Sequence, residues 1–185
     1  GLDILRAGGS AVDAAITIQL VLALVEPQSS GLGGGAFLMH WDGRNVAAWD
    51  GRETAPSAAD EKLFLGPDGK PLPFMDAVVG GRSVGVPGAV RMLEAAHRQH
   101  GKLPWAALFQ PAIELAEKGF PISPRLYTTL NALAKRMCNE KAVAAHYLKP
   151  DCTPKDEGSL LKNPELAATL ALSRQQILDA VWEYD

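Results

Sequence analysis

The spacing of apolar positions sorts this chain into helices and one hairpin. Leu2 to Ala7 reads as the closing turns of a helix, stopped by Gly8-Gly9. Ser10, with Asp13 three residues on, then resembles a capping box that opens a second helix over Ala11 to about Leu24. That helix is apolar nearly all round, so it needs cover on most faces, and Pro27 ends it. For Asp13 the capping role is preferred over a catalytic one. The period then changes to two. Ala36–Trp41 and Arg44–Trp49 flank Asp42-Gly43, a strong hairpin signal. Pro67 to Pro73 reads as an exposed turn. Pro87 suits the first turn of a helix to about His100, with Ala89, Val90, Leu93 and Ala96 inward and Arg91, Glu94 and Arg98 outward. Trp105 to Lys118 is amphipathic, with Leu108, Ile113 and Leu115 inward and Gly119 as its stop. Pro124 to about Lys135 and Pro164 to about Trp182 read as two further helices. Leu148 to Gly158 between them is polar and carries proline.

Composition narrows the function classes. With 18 Lys and Arg against 21 Asp and Glu, the net charge is -3, which argues against a nucleic-acid partner. At 47% hydrophobic and 185 residues, the chain can bury a real core as one domain or a piece of a larger one. The run Ala14 to Val25 is too short to span a bilayer, so no membrane span is expected. No secretory signal is visible, and the chain opens as if already inside a helix, so a preceding segment is expected to have been removed. Cys138 and Cys152 lack metal-site spacing, and a single disulfide and two free thiols both remain open.

Candidate chemistry is sparse. Gly31, Gly33 and Ala36 match the dinucleotide spacing, but a helix precedes and a strand follows, the reverse of what that site requires. A backbone passing close to another segment is the plainer reading of Gly31 to Gly35. His40, His97, His100 and His146 have no metal spacing and read as surface residues. No complete nucleophile and base set is visible, and no metal or cofactor is expected. Arg52 stands out, in the loop Asp50-Gly51-Arg52-Glu53-Thr54-Ala55-Pro56 at a strand end. Its planar fork suits two-point binding of a carboxylate. An ion pair with Asp50 or Glu53 is an equal alternative on the residues alone.

Five blocks together resemble the gamma-glutamyltransferase family. They are Gly8 to Ala15, Glu26 to Phe37, Asp50 to Pro56, Val84 to Val90 and Gln110 to Phe120, in the family's order and spacing. The resemblance runs from Gly1 to about Leu172. It implies an α+β N-terminal nucleophile hydrolase, a four-layer αββα sandwich. Residues 1–185 would be the N-terminal portion of its large subunit, mainly helical with a β-hairpin. The family's precursor cleaves itself, and the new N-terminal threonine of the small subunit is nucleophile and base. It attacks the gamma-glutamyl amide of glutathione or a related donor and passes the acyl group to water, an amino acid or a peptide. The resemblance therefore implies a small catalytic subunit as partner, no catalytic residue within this chain, and a periplasmic or secreted location. It also implies that Arg52 clamps the donor's alpha-carboxylate, with Asp50 and Glu53 holding the arginine. A related acylase acting on glutaryl groups or poly-gamma-glutamate, and a non-catalytic binding protein, are the alternatives.

Overall fold

The computed structural model describes residues 1–172, and they form two compact units. Among the described residues, the first unit comprises residues 1–31 and 96–172, and the second comprises residues 32–95.

In the first unit, α1 (Leu2–Arg6) ends at Ala7 and Gly8, whose φ of 89° favours glycine. Ser10 then caps α2 (Ala11–Val25): its hydroxyl accepts from the Asp13 amide at 3.1 Å, and Asp13 accepts from the Ser10 amide at 2.8 Å. Each group satisfies a donor that a helix start otherwise leaves unpaired. The buried stripe of α2 is Val12, Ile16, Leu20 and Leu24. Cover is less complete than the sequence suggests: Ile18 is 44% exposed, because α1 and α5 pack along one side of α2.

Helix α5 (Trp105–Lys118) has the expected bounds and presents Leu108, Phe109, Ala112, Ile113 and Ala116 to the core. Pro111 lies at its centre. Lacking an N–H, that proline leaves one turn of the ladder without its bond. Thr17 Oγ1 donates to the Leu108 carbonyl at 3.1 Å, tying α2 to α5 inside the core. Gly119, at φ 92°, ends α5 and leads into β3 (Phe120–Pro121), which pairs antiparallel with β4 (Leu160–Leu161). Helix α6 (Pro124–Met137) starts on Ser123, whose hydroxyl accepts from the Leu126 amide. A short α7 (Lys141–Tyr147), not anticipated from the sequence, follows. Cys138 and Cys152 form a disulfide, which resolves the alternative left open above. Helix α8 (Pro164–Leu172) packs on α5 through Ala167 and Leu170. The expected continuation towards Trp182 lies outside the described residues.

The second unit is built on an antiparallel hairpin of β1 (Ala36–Trp41) and β2 (Val46–Gly51), in register Ala36↔Gly51 to Trp41↔Val46. The second strand begins two residues later than expected. The Asp42 carboxylate accepts from the amides of Arg44 and Asn45, both at 2.7 Å, and so draws them into the turn. The Asn45 and Arg44 hydrogen bonds hold that carboxyl below its ordinary pKa. Phe37, Met39, Trp41 and Val46 lie exposed on one face of the hairpin. The segment Pro67 to Pro73 is a turn closed by Gly66 and Lys70, as expected. Helix α3 (Phe74–Val78) is a single short addition. Helix α4 (Ala89–His100) starts two residues after Pro87, because Val86 is engaged in backbone pairing with Thr54. Glu94, expected outward, is buried at 8% exposure beside Met92 and Leu93.

Candidate functional site

The site is built where β2 ends. Gly51 is buried, and a Cβ there would lie 2.6 Å from Cβ of Met92 and 3.1 Å from the Ala36 carbonyl oxygen. Only glycine lets the strand pass so close to the helix. The chain then turns. The Arg52 amide donates to Asp50 Oδ1 at 2.9 Å. Two residues on, Thr54 exchanges both backbone bonds with Val86, at 3.3 and 2.9 Å. Gly88 backs onto the carbonyls of Gly51 and Arg52, where a Cβ would approach to 2.6 and 2.9 Å. The Arg52 backbone is thus fixed on both sides, while its side chain is 71% exposed. Its Nε pairs with Glu53 Oε2 at 3.3 Å.

Asp50 and Glu53 therefore play different parts. Asp50 acts on the backbone of Arg52, and Glu53 on its guanidinium. The glycine tract explains how Glu53 is placed. A Cβ on Gly35 would collide with the Glu53 carboxylate and lie 2.9 Å from the Arg52 Cα. One on Gly34 would lie 3.5 Å from Glu53 Oε1, and one on Gly85 only 2.8 Å from the Glu53 Cβ. The Ala89 amide holds the tract in place by donating to the Gly34 carbonyl at 3.0 Å. Two glycine segments, distant in sequence, form the seat of one glutamate. The close packing expected of Gly31 to Gly35 is thus confined to its second half, since Gly31 and Gly33 have open space around them. Gly85 had no sequence signal for this role, because nothing in the chain shows that the two segments meet.

In the first unit, Asp13 is fully buried, and its Oδ2 accepts three backbone N–H groups, from Ser10, Lys102 and Leu103. Burial pushes its carboxyl up, but those bonds and the Ser10 hydroxyl outweigh burial and hold it below its ordinary pKa. His97 Nε2 lies 2.9 Å from the Leu103 carbonyl and 3.5 Å from Asp13 Oδ1. His97 is thus a half-buried structural residue, and His40, His100 and His146 are likewise half-buried, not fully on the surface as expected from the sequence. Arg125 reaches Glu26 at 3.2 Å and the Ser29 hydroxyl at 3.2 Å, pinning the Glu26 to Ser30 turn to α6. Among the described residues no group of His, Cys, Asp and Glu could hold a metal ion, and no helix is long and apolar enough to cross a membrane.

Comparison with known proteins gives the family. The gamma-glutamyltranspeptidase family model matches residues 1–183, beyond the Leu172 at which the sequence resemblance stopped. The "Glutathione hydrolase proenzyme" of Bacillus subtilis is 38% identical over 185 residues, covering 99% of this chain and 31% of the relative. "Glutathione hydrolase 2" of Arabidopsis thaliana is 42% identical over 174 residues, 92% of this chain and 28% of the relative. The chain thus spans about a third of the length of these relatives. The crystal structure of Helicobacter pylori gamma-glutamyltranspeptidase superposes with a TM-score of 0.88 at 31% identity, over 99% of this chain and 55% of that one. The α+β fold class read from the sequence, that of an N-terminal nucleophile hydrolase, mainly helical here with one hairpin, holds. By the match along nearly its whole length, the chain belongs to the gamma-glutamyltranspeptidase family.

Proposed function

We propose that residues 1–185 are the N-terminal portion of the large subunit of an enzyme that cleaves gamma-glutamyl amides, glutathione among them. In this reading the nucleophilic threonine comes from a small catalytic subunit of the same precursor. Its free amine, with a pKa near neutrality, serves as base. The acyl-enzyme passes its group to water, an amino acid or a peptide. The chain alone is then inactive, and its contribution is to hold the donor. No cofactor enters the reaction. A periplasmic or secreted location is supported by the Cys138–Cys152 disulfide, since such bonds persist in oxidising compartments.

The observation that carries the proposal is Arg52. Its backbone is fixed between the Asp50 and Thr54 contacts, yet its guanidinium stays largely exposed. Glu53 engages Nε, which leaves the Nη1–Nη2 edge to take the alpha-carboxylate of a gamma-glutamyl donor in two-point fashion. Both readings of Arg52 are thereby joined: the ion pair orients the clamp. In the complete enzyme, Arg52→Lys keeps the charge and loses the fork. The expected cost is about 2–5 kcal/mol, or roughly 30- to several-thousand-fold in kcat/KM. Two donors, one with and one without the alpha-carboxylate, make the test. An equal loss on both would remove Arg52 from the binding site.

A further inference from the structure

Cys152 occupies a backbone conformation that the other described residues leave to glycine. Its φ is 65°, and every other positive φ among the described residues belongs to a glycine, at Gly8, Gly43, Gly69, Gly80, Gly119 and Gly158. A Cβ disfavours this region, so glycine would be the relaxed choice here. The turn around it is otherwise well made. Leu148 pairs with Pro154, the Lys149 amide donates to the Thr153 carbonyl at 2.7 Å, and the Cys152 amide donates to the Lys149 carbonyl at 2.9 Å. Asp151 Oδ1 accepts from the Thr153 amide and hydroxyl at 3.0 and 2.6 Å. What glycine could not supply is the bond to Cys138. That residue ends α6 fourteen positions earlier, with its Cα 5.6 Å away.

The bond closes a loop around α7, whose other ties lie at its C-terminal end, where Lys155 donates its amide to the Tyr147 carbonyl at 3.0 Å and its Nζ to the His146 carbonyl at 2.6 Å. The helix has seven residues, no side-chain cap at Glu140 and no fully buried side chain. A helix so short is unstable by itself in water. Both cysteines are half-buried, and neither lies in the closed core. We infer that Cys138–Cys152 is a reversible thiol-exchange site for low-molecular-weight thiols, and that its opening releases residues 139–152. One thiolate attacks a protein sulfur, forms a mixed disulfide and expels the other cysteine as thiolate. A second thiolate then attacks the mixed disulfide. The small thiol leaves as its own disulfide, oxidised by two electrons, and the two cysteines take up protons from water. Once freed, Cys152 has no bond to keep its backbone at positive φ, and α7 loses its closure. The inference does not depend on what Arg52 binds.

The complete protein, purified without reductant, is digested and mapped before and after mercaptoethanol, and its amide hydrogen exchange is followed in both states. Mercaptoethanol carries no gamma-glutamyl group, so it cannot act as a donor. A peptide linked through Cys138 and Cys152 is expected before treatment. After treatment, the amides of Ala144, Leu148, Lys149 and Cys152 are expected to exchange at least about tenfold faster. Cys138→Ser should show the fast pattern with or without thiol. Cys152→Gly should keep the Lys149 amide slow in both conditions, because glycine accepts the turn without a bond. Finding two free thiols in the untreated protein overturns the inference. So does unchanged exchange over residues 141–152 once both cysteines are alkylated.

Discussion

Asp13→Ala should cost more than any ordinary cap. Asp13 Oδ2 accepts N–H bonds from Ser10 at 2.8 Å, Lys102 at 2.9 Å and Leu103 at 3.1 Å, so one oxygen serves the start of α2 and the turn ahead of α5. A hydrogen bond to a charged acceptor contributes about 1.5–3 kcal/mol. The donors are only part-buried, so the lower end applies, and three bonds give about 4–5 kcal/mol. At about 2–4 °C per kcal/mol for a domain of 150–250 residues, that is roughly 8–20 °C in Tm. Asp13→Asn separates charge from geometry. Its amide oxygen can take the Oδ2 place and accept the same three donors as neutral bonds. It should lose only about a third as much. The pH dependence follows from the lowered carboxyl. Its stabilisation is complete above the unfolded value of about 3.9 and is lost as pH falls through the lower folded value. The Asn variant should lack that component of the acid limb. Urea titrations of the complete protein, with m unchanged, give the energies. If the Ala variant melts within about 2 °C of the parent, or the Asn and Ala variants fall together, the three-bond account fails.

Gly35→Ala should push the Glu53 carboxylate off its seat, costing about 1–3 kcal/mol of stability and raising donor KM. Adding Glu53→Asp, which shortens the displaced side chain, should recover part of the stability but not the KM, because the shorter carboxylate no longer reaches the Arg52 Nε. If KM is unmoved in Gly35→Ala, the seat does not position Arg52. Phe109→Ala empties a site 1% exposed, packed edge-on against Trp105 at 5.0 Å, and should cost about 3–5 kcal/mol by denaturant titration while donor kinetics below the melting range stay put.

What the sequence shows is local, and what it hides is where distant segments meet. The Ser10 and Asp13 spacing suffices for a capping box, because both partners lie within one turn. Nothing in that spacing reveals Lys102 and Leu103, which lie about ninety residues away. The hairpin is legible from alternation and Asp-Gly, but its second strand starts late because the Asp42 side chain competes for the Arg44 and Asn45 amides. Glu94 sits on a helix whose charged positions suggest an outward face, and only its neighbours bury it. Short α7 has too few positions to show a period. For Arg52, the sequence already offers a pairing with Asp50 or Glu53, whereas the division that gives Glu53 the guanidinium and Asp50 the backbone, and the glycine seat, require the fold.

The open face of the hairpin bears on how this protein is made. Phe37, at 66% exposure, Met39 at 75%, Trp41 at 60% and Val46 at 58% stand together, and alternating apolar strands of this kind readily recruit a neighbouring chain. In a newly synthesised copy, every moment that surface stays bare competes with self-association. Yield in a producing cell should therefore follow chaperone supply and growth temperature more closely than the thermodynamic stability of the finished protein.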